Sequence, residues 1–265
     1  MQLGQRRVFV GSRISVAALP SGGKQSGRSN LPASCSVSQL NVRILAISSH
    51  FNSEIERMDL TLPVAQIVPA TEAEGPGRRF AIWLQGCPLR CPGCCNPEML
   101  PFEGGVAHRV DSLLAQIWKV KQTDDSLEGI SLLGGEPFAH ARGAAELAER
   151  VAAAGLTVMI FSGYTLDELR AQKEEHVNRL LACTDILVDG PYLREQPETR
   201  RRWIGSANQR VHFLSERVRA DDPRWLSPNT LELRFVGGEL TVNGFPAAKE
   251  KDFWKRLPRE ASRDR

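Results

Sequence analysis

Apolar positions recur in two rhythms along most of this chain. Residues 79–85 (RFAIWLQ) form a short apolar run that predicts a buried strand, and residues 130–133, 157–161 and 186–188 are runs of the same kind. Between them the period is helical. Val110, Leu113, Leu114 and Ile117 share one helical face, with Asp111 as a candidate cap. Residues 138–154 are Ala-rich, with Pro137 near the first turn and Gly155 just past the end. Thr165 and Glu168 have capping-box spacing and open a helix running towards Leu181. Strands alternating with helices predict an α/β fold with a parallel sheet, whose sites gather at the carboxyl ends of the strands. Near the C-terminus the order changes: residues 231–235 and 239–242 flank Val236-Gly237-Gly238 as an antiparallel hairpin.

The first 57 residues break both rhythms. They carry seven Lys or Arg against two Glu, with no acid before Glu54. Such Arg- and Ser-rich, acid-poor composition mimics a transit peptide, but low hydrophobicity without periodicity favours a disordered extension, with Met58 as an alternative start. The expected organisation is therefore an extension over 1–57, a core domain over 58–225, and a hairpin followed by a helix over 226–265. The net charge of +3 comes from the extension. The body is close to neutral, which argues against nucleic acid as a partner. No apolar run is long enough to span a membrane.

Four of the six cysteines, Cys87, Cys91, Cys94 and Cys95, lie within nine residues. A disulfide framework would be spread along the chain, so this clustering favours a metal and a reducing, cytoplasmic setting. Three thiolates at CxxxCxxC spacing can wrap three irons of a cubane and leave the fourth iron without a protein ligand. An electron-transfer ferredoxin fills all four corners with cysteine, whereas an open iron can bind and orient a small molecule. The competing reading is a zinc-binding module without catalysis. Zinc sites usually close with four ligands in pairs, and no second CxxC or HxxxH pair follows.

The segment Cys87-Pro88-Leu89-Arg90-Cys91-Pro92-Gly93-Cys94-Cys95-Asn96-Pro97-Glu98 resembles the radical S-adenosylmethionine (SAM) superfamily. It is most similar there to the activating proteins of anaerobic ribonucleotide reductase and pyruvate formate-lyase. The resemblance runs from Arg79 to Val211. It includes Gly134-Gly135-Glu136-Pro137, Ser162-Gly163-Tyr164-Thr165 and residues 201–211 (RRWIGSANQRV), in which Asn208, Gln209 and Arg210 gain no role from the sequence. The resemblance implies a partial (β/α) barrel with mostly parallel strands. It implies a [4Fe-4S] cluster on Cys87, Cys91 and Cys94, with SAM on the open iron. Reductive cleavage of SAM then gives a 5′-deoxyadenosyl radical that abstracts hydrogen, for activators from a glycine of a glycyl radical enzyme. A flavodoxin- or ferredoxin-like protein is the implied electron donor.

Carried onto this chain, the SAM-binding residues are Gly93, Cys94, Cys95, Gly134, Gly135, Glu136, Ser162 and Asp189. Ser162 is expected to reach the SAM carboxylate or ribose, and Asp189 the ribose. Gly93 stands where many superfamily members place an aromatic residue, so adenine contact falls to the Gly93–Cys95 backbone. Cys95 is expected to be a pocket residue rather than a ligand, since adjacency to Cys94 is awkward for a shared cubane. A radical SAM enzyme acting on a small molecule or peptide is the second reading, with the C-terminal hairpin closing over the substrate. Among the remaining candidates, Cys183 is expected to be a small buried hydrophobe, His140 to lie on the surface, and the Arg-rich stretch 194–202 to be a solvated loop.

Overall fold

A computed structural model describes residues 60–236 and 239–244; the expected extension over 1–57 and the helix expected after the hairpin lie outside these residues. The apolar runs become the middle of a seven-stranded sheet. In chain order its strands are β1 (Thr61–Thr71), β2 (Arg78–Leu84), β3 (Val106–Arg109), β4 (Leu127–Gly134), β5 (Thr157–Phe161), β6 (Ile186–Asp189) and β7 (Arg210–Phe213). Their spatial order is β3-β1-β2-β4-β5-β6-β7. The pairs β2–β4, β4–β5 and β5–β6 are parallel, while β1–β2, β1–β3 and β6–β7 are antiparallel. The centre is therefore parallel as expected and its margins are not. Among the described residues β3 and β7 are edges, and no pairing closes the sheet into a barrel.

Alternation along the strands divides the core in two. Phe80, Ile82 and Leu84 of β2, with Ile130, Leu132, Val158 and Ile160, meet the apolar stripes of four helices. These are α1 (Val110–Thr123), α2 (Ala141–Ala153), α3 (Leu166–Ala171) and α4 (Glu175–Ala182). On the opposite sheet face Ala81, Trp83 and Leu133 pack with Val68 and Met99, while Met159, Ile186 and Val188 pack with Ile204. Burying each such side chain stabilises the fold by about 1.5–3 kcal/mol, and both faces being covered explains why the strands are almost uniformly apolar.

Local signals place some boundaries and miss others. The capping box is present: Thr165 Oγ1 accepts from the Glu168 N–H, and the Glu168 carboxylate accepts from the Thr165 N–H. The helix it opens does not run on to Leu181, because Lys173 adopts φ 53° and divides α3 from α4. Asp111 is not a cap. The N-cap of α1 is Arg109, and Asp111 instead pairs with Arg150 of α2 at 2.6 Å. The Ala-rich helix begins as a 3-10 turn, Pro137–His140, before α2 proper.

β8 (Leu231–Val236) and β9 (Glu239–Gly244) form the expected hairpin as a separate two-stranded sheet. It docks at the end of the main sheet where β1 finishes and β2 begins. Asn243 Nδ2 donates to Thr71 Oγ1 at 2.9 Å, and the Glu72 N–H donates to Glu232 Oε1 at 2.7 Å. The same end buries Arg79, whose guanidinium donates to Ser131 Oγ (2.8 Å), Ile130 O (2.5 Å) and Thr157 O (3.2 Å), stitching β2, β4 and β5 together. Two clefts of about 430 and 220 Å³ open here, both sharing Glu128 and Arg224. They lie at the amino ends of the parallel strands, away from the cysteines.

Glu74 is buried beneath this hairpin, and burial pushes its carboxyl up to about 8 despite hydrogen bonds from Asn243 and the Gly244 N–H. A folded-state value above the unfolded one means that the native state holds an extra proton between the two. Stability is therefore expected to fall as pH rises from about 4.5 to about 8 and to level off above, by about 5 kcal/mol in all. Glu74→Gln should make that slope shallower below about pH 7 and remove most of it between about 7 and 8, as read from urea unfolding midpoints across this range. An unchanged slope would mean that the carboxyl ionises without penalty.

Candidate functional site

At the carboxyl end of β2 the chain leaves the sheet through Gln85-Gly86, forms the cysteine loop, and returns through a 3-10 turn, Pro97–Met99. The neck of this loop is tied shut. Gly86 N–H donates to Met99 O (2.9 Å) and Cys87 N–H to Leu100 O (3.0 Å). Gln85 is buried and its amide donates to Glu98 O (3.0 Å) and Pro101 O (2.8 Å). Met99 then packs against Trp83 and Leu133. Sequence reasoning missed Gln85, because its acceptors are backbone oxygens that no motif reveals. His140, expected on the surface, is half-buried, with Nε2 2.8 Å from Gln85 O.

Within the loop, Cys87 is buried, Cys91 and Cys94 are partly buried and Cys95 is exposed; all four are free thiols. The Leu89 and Arg90 N–H groups point at the Cys87 sulfur, and Arg90 takes φ 49° to allow it. Cys94 Sγ accepts from the Asn96 N–H at 3.4 Å, and the Cys94 N–H donates to Cys91 O at 3.1 Å. Burial raises the Cys87 and Cys94 thiols, and mutual repulsion adds to it: Cys87 feels Cys91, and Cys94 feels Cys95, Cys91 and Cys87. The cysteines thus share one electrostatic neighbourhood. Among the described residues no three His, Cys, Asp or Glu side chains converge as a single ion requires. A cubane asks for something different, three thiolates each on its own iron.

The ends of β4 and β5 meet the neck of the loop. Gly134 takes φ 99°, and a Cβ on Gly135 would lie 2.3 Å from Gly86 O. That absent Cβ lets the Gly135 and Glu136 N–H groups donate to Leu84 O (2.7 Å) and Gly86 O (2.9 Å). Glu136 then turns inward. Its Oε1 accepts from Phe138 N–H (3.0 Å) and Ser162 Oγ (2.9 Å), and its Oε2 from Gly163 N–H (2.9 Å). Burial raises this carboxyl to about 7 against those three donors. Gly163 lies beneath the cysteine loop, for a Cβ there would be 2.4 Å from Leu89 Cδ1.

Two expectations change here. Ser162 does not present a free hydroxyl, since its Oγ donates to Glu136 and accepts from the Tyr164 N–H (3.1 Å). Asp189 closes β6 at the right end of the sheet, but it is 0% exposed. Its Oδ2 accepts from Leu166 N–H (2.7 Å), lies 2.8 Å from His212 Nε2, and faces Arg210 at 3.3 Å. It fixes the start of α3 against β6 and β7. A buried carboxylate without such partners would be untenable.

Beyond Asp189 the chain crosses back over the cysteines. Tyr192 hydrogen-bonds Cys95, and burial first, then the neighbouring thiol, push its phenol up to about 12. The Arg194 stem lies on Gly93, where a Cβ would come within 2.6 Å of Arg194 Cδ. The Arg-rich stretch is thus only partly a solvated loop. Arg202 is buried, with its guanidinium 4.2 Å from the Trp203 ring.

Comparison with known proteins bears on this site directly. Residues 73–212 match the family described as a 4Fe-4S single cluster domain. The anaerobic ribonucleoside-triphosphate reductase-activating protein of Vibrio cholerae is 32% identical over 151 residues, covering 56% of this chain and 95% of that protein. Its namesake in Escherichia coli K12 is 31% identical over 154 residues, covering 56% and 97%. QueE from Escherichia coli overlaps structurally with a TM-score of 0.32 at 22% identity, over 40% of this chain and 54% of that one. That overlap is too loose to bear on the fold.

Proposed function

This chain belongs to the 4Fe-4S single cluster domain family and to the anaerobic ribonucleoside-triphosphate reductase-activating proteins, and from that premise we propose that it activates a glycyl radical enzyme by removing a glycine hydrogen. Cys87, Cys91 and Cys94 are the proposed cluster ligands. Their thiols fit the group, being unpaired, mutually close in charge and carried on a loop with a fixed neck. The backbone of Gly93, Cys94, Cys95, Gly134 and Gly135 is the proposed lining for SAM, with Glu136, Ser162 and Asp189 holding that lining in place. When bound, the cluster and SAM supply one-electron cleavage to methionine and a 5′-deoxyadenosyl radical.

The chain's own part is to aim and to shelter. The tied neck fixes the loop relative to β2, and the Glu136 carboxylate fixes the ends of β4 and β5 relative to each other. Such rigidity limits where a reactive carbon can travel. Exposed Phe102 follows the loop, and exposed Val106 opens β3, which offers apolar surface to a protein substrate. The observation that favours a protein substrate over a small one is the position of the β8–β9 hairpin. It docks at the amino ends of the parallel strands and so leaves the cysteine end without that cover. A cytoplasmic setting and a flavodoxin- or ferredoxin-like donor complete the proposal, and partly exposed Cys91 offers the donor an approach.

The test is an anaerobic incubation of the reconstituted full chain with dithionite and SAM. The expected product is 5′-deoxyadenosine, and adding the cognate reductase should yield a glycyl radical by electron paramagnetic resonance. Deoxyadenosine without a radical on the reductase would favour a small-molecule substrate.

A further inference from the structure

The segment Trp203-Ile204-Gly205-Ser206-Ala207-Asn208-Gln209 acquires a role from its contacts. It runs alongside the stretch 190–198 that crosses the cysteine loop, and it is laced to it at successive points. Gln209 Nε2 donates to Gly190 O (3.0 Å), and Asn208 Nδ2 donates to Pro191 O (2.8 Å). Leu193 N–H donates to Ser206 Oγ (3.2 Å), Ala207 N–H to Gln196 O (2.7 Å), and Glu198 N–H to Gly205 O (3.4 Å). Ser206 is fully buried, and it forms an isolated bridge with Pro197.

Gln209 holds the segment itself in shape as well. Its Oε1 accepts from both Gly205 N–H and Ser206 N–H, each at 3.1 Å. Gly205 in turn supports Tyr192, for a Cβ there would stand 3.3 Å from Tyr192 Cδ2. One side chain thus joins the turn under Tyr192 to the carbonyl of Gly190, which directly follows Asp189. Tyr192 reaches Cys95 and Arg194 lies on Gly93. The lacing therefore sets how closely the crossing stretch covers the exposed side of the cysteine loop.

We propose that Gln209, with Asn208 as its auxiliary, is a positioning residue that holds residues 190–198 over the Gly93–Cys95 side of the loop, limiting solvent access to the cluster. This rests on the cluster reading for its consequence, but not for its geometry. Three hydrogen bonds converge on one amide, and removing them should free the crossing stretch locally while leaving the sheet intact.

The test compares the full chain with Gln209→Ala, Gln209→Glu and Asn208→Ala. In the metal-free proteins, amide hydrogen exchange should accelerate by about tenfold or more over 190–198 in Gln209→Ala, with β2, β4, β5 and α2 unchanged. Gln209→Glu keeps the two acceptor contacts but sets a carboxylate oxygen against Gly190 O, so it should not rescue the effect. Asn208→Ala should show a smaller effect at the same place. In the reconstituted proteins, iron content should be equal, but Gln209→Ala should lose its cluster to a chelator several-fold faster. Unaltered exchange over 190–198 in both Gln209→Ala and Asn208→Ala would overturn the proposal. So would exchange that rises equally throughout the sheet, or altered exchange with unaltered cluster loss. A wild-type chain that takes up no cluster would instead overturn the site reading, and the exchange measurements would still decide the lacing.

Discussion

Cys91→Ala is expected to leave anaerobic reconstitution colourless and without bound iron, whereas Cys95→Ser should come through brown with its iron largely intact. The asymmetry follows from how each thiol is held. Cys91 lies between buried Cys87 and partly buried Cys94 in one electrostatic group, and the Cys94 N–H closes onto its carbonyl. A cubane held by three cysteines already has one corner free, so losing a second leaves two anchors on a loop that cannot fold around it. Cys95 is exposed, and its sulfur is turned to Tyr192. Its Cα is only about 3.8 Å from that of Cys94, too near for both to occupy separate corners easily. Iron per chain and visible absorption read the result, and equal losses in both variants would show that the ligands are assigned wrongly.

Glu136→Ala is expected to cost about 3–5 kcal/mol of stability and to abolish SAM binding, even though the side chain faces inward. The carboxylate takes the Gly163 N–H, the Phe138 N–H and the Ser162 hydroxyl. Each buried donor left unpaired costs about 1–3 kcal/mol, with some recovered where Ser162 can rotate. Glu136→Gln is a gentler break, since its amide group would meet the Gly163 N–H donor to donor. It should lose about 2 kcal/mol. Urea unfolding of the metal-free chain measures the first effect, and SAM titration of the reconstituted chain the second. A Glu136→Ala chain of wild-type stability would mean that the strand ends are held elsewhere. Because burial sets the Glu136 carboxyl at about 7 and Glu74 at about 8, both contribute a falling slope between about pH 4.5 and 7. The interval from about 7 to 8 is dominated by Glu74.

What the sequence conveyed was local. The runs that became β2, β4, β5 and β6 are apolar on both faces, and the Thr165–Glu168 capping box depends only on residues three apart. Strands made by pairing rather than by pattern escaped. β1 carries Pro63 and Pro69, which weaken any strand signal. β3 and β7 are four residues each, with polar members, and exist because β1 and β6 offer them partners. Position at a strand end was also legible, but side-chain direction was not. Ser162 and Asp189 stand where ligand-facing side chains were expected, yet both point into the protein to satisfy buried donors. The tying roles of Gln85 and Gln209 were not legible in the sequence, because an amide that ties loops together needs only backbone partners, and these occur everywhere.

The most direct measurement is the electron paramagnetic resonance spectrum of the dithionite-reduced, anaerobically reconstituted chain, recorded before and after SAM is added. The expected result is a reduced cubane signal that shifts with SAM, as an iron without a cysteine takes up the sulfonium compound. A cubane signal indifferent to SAM, or a protein holding zinc and no signal, would contradict a cluster site built on Cys87, Cys91 and Cys94.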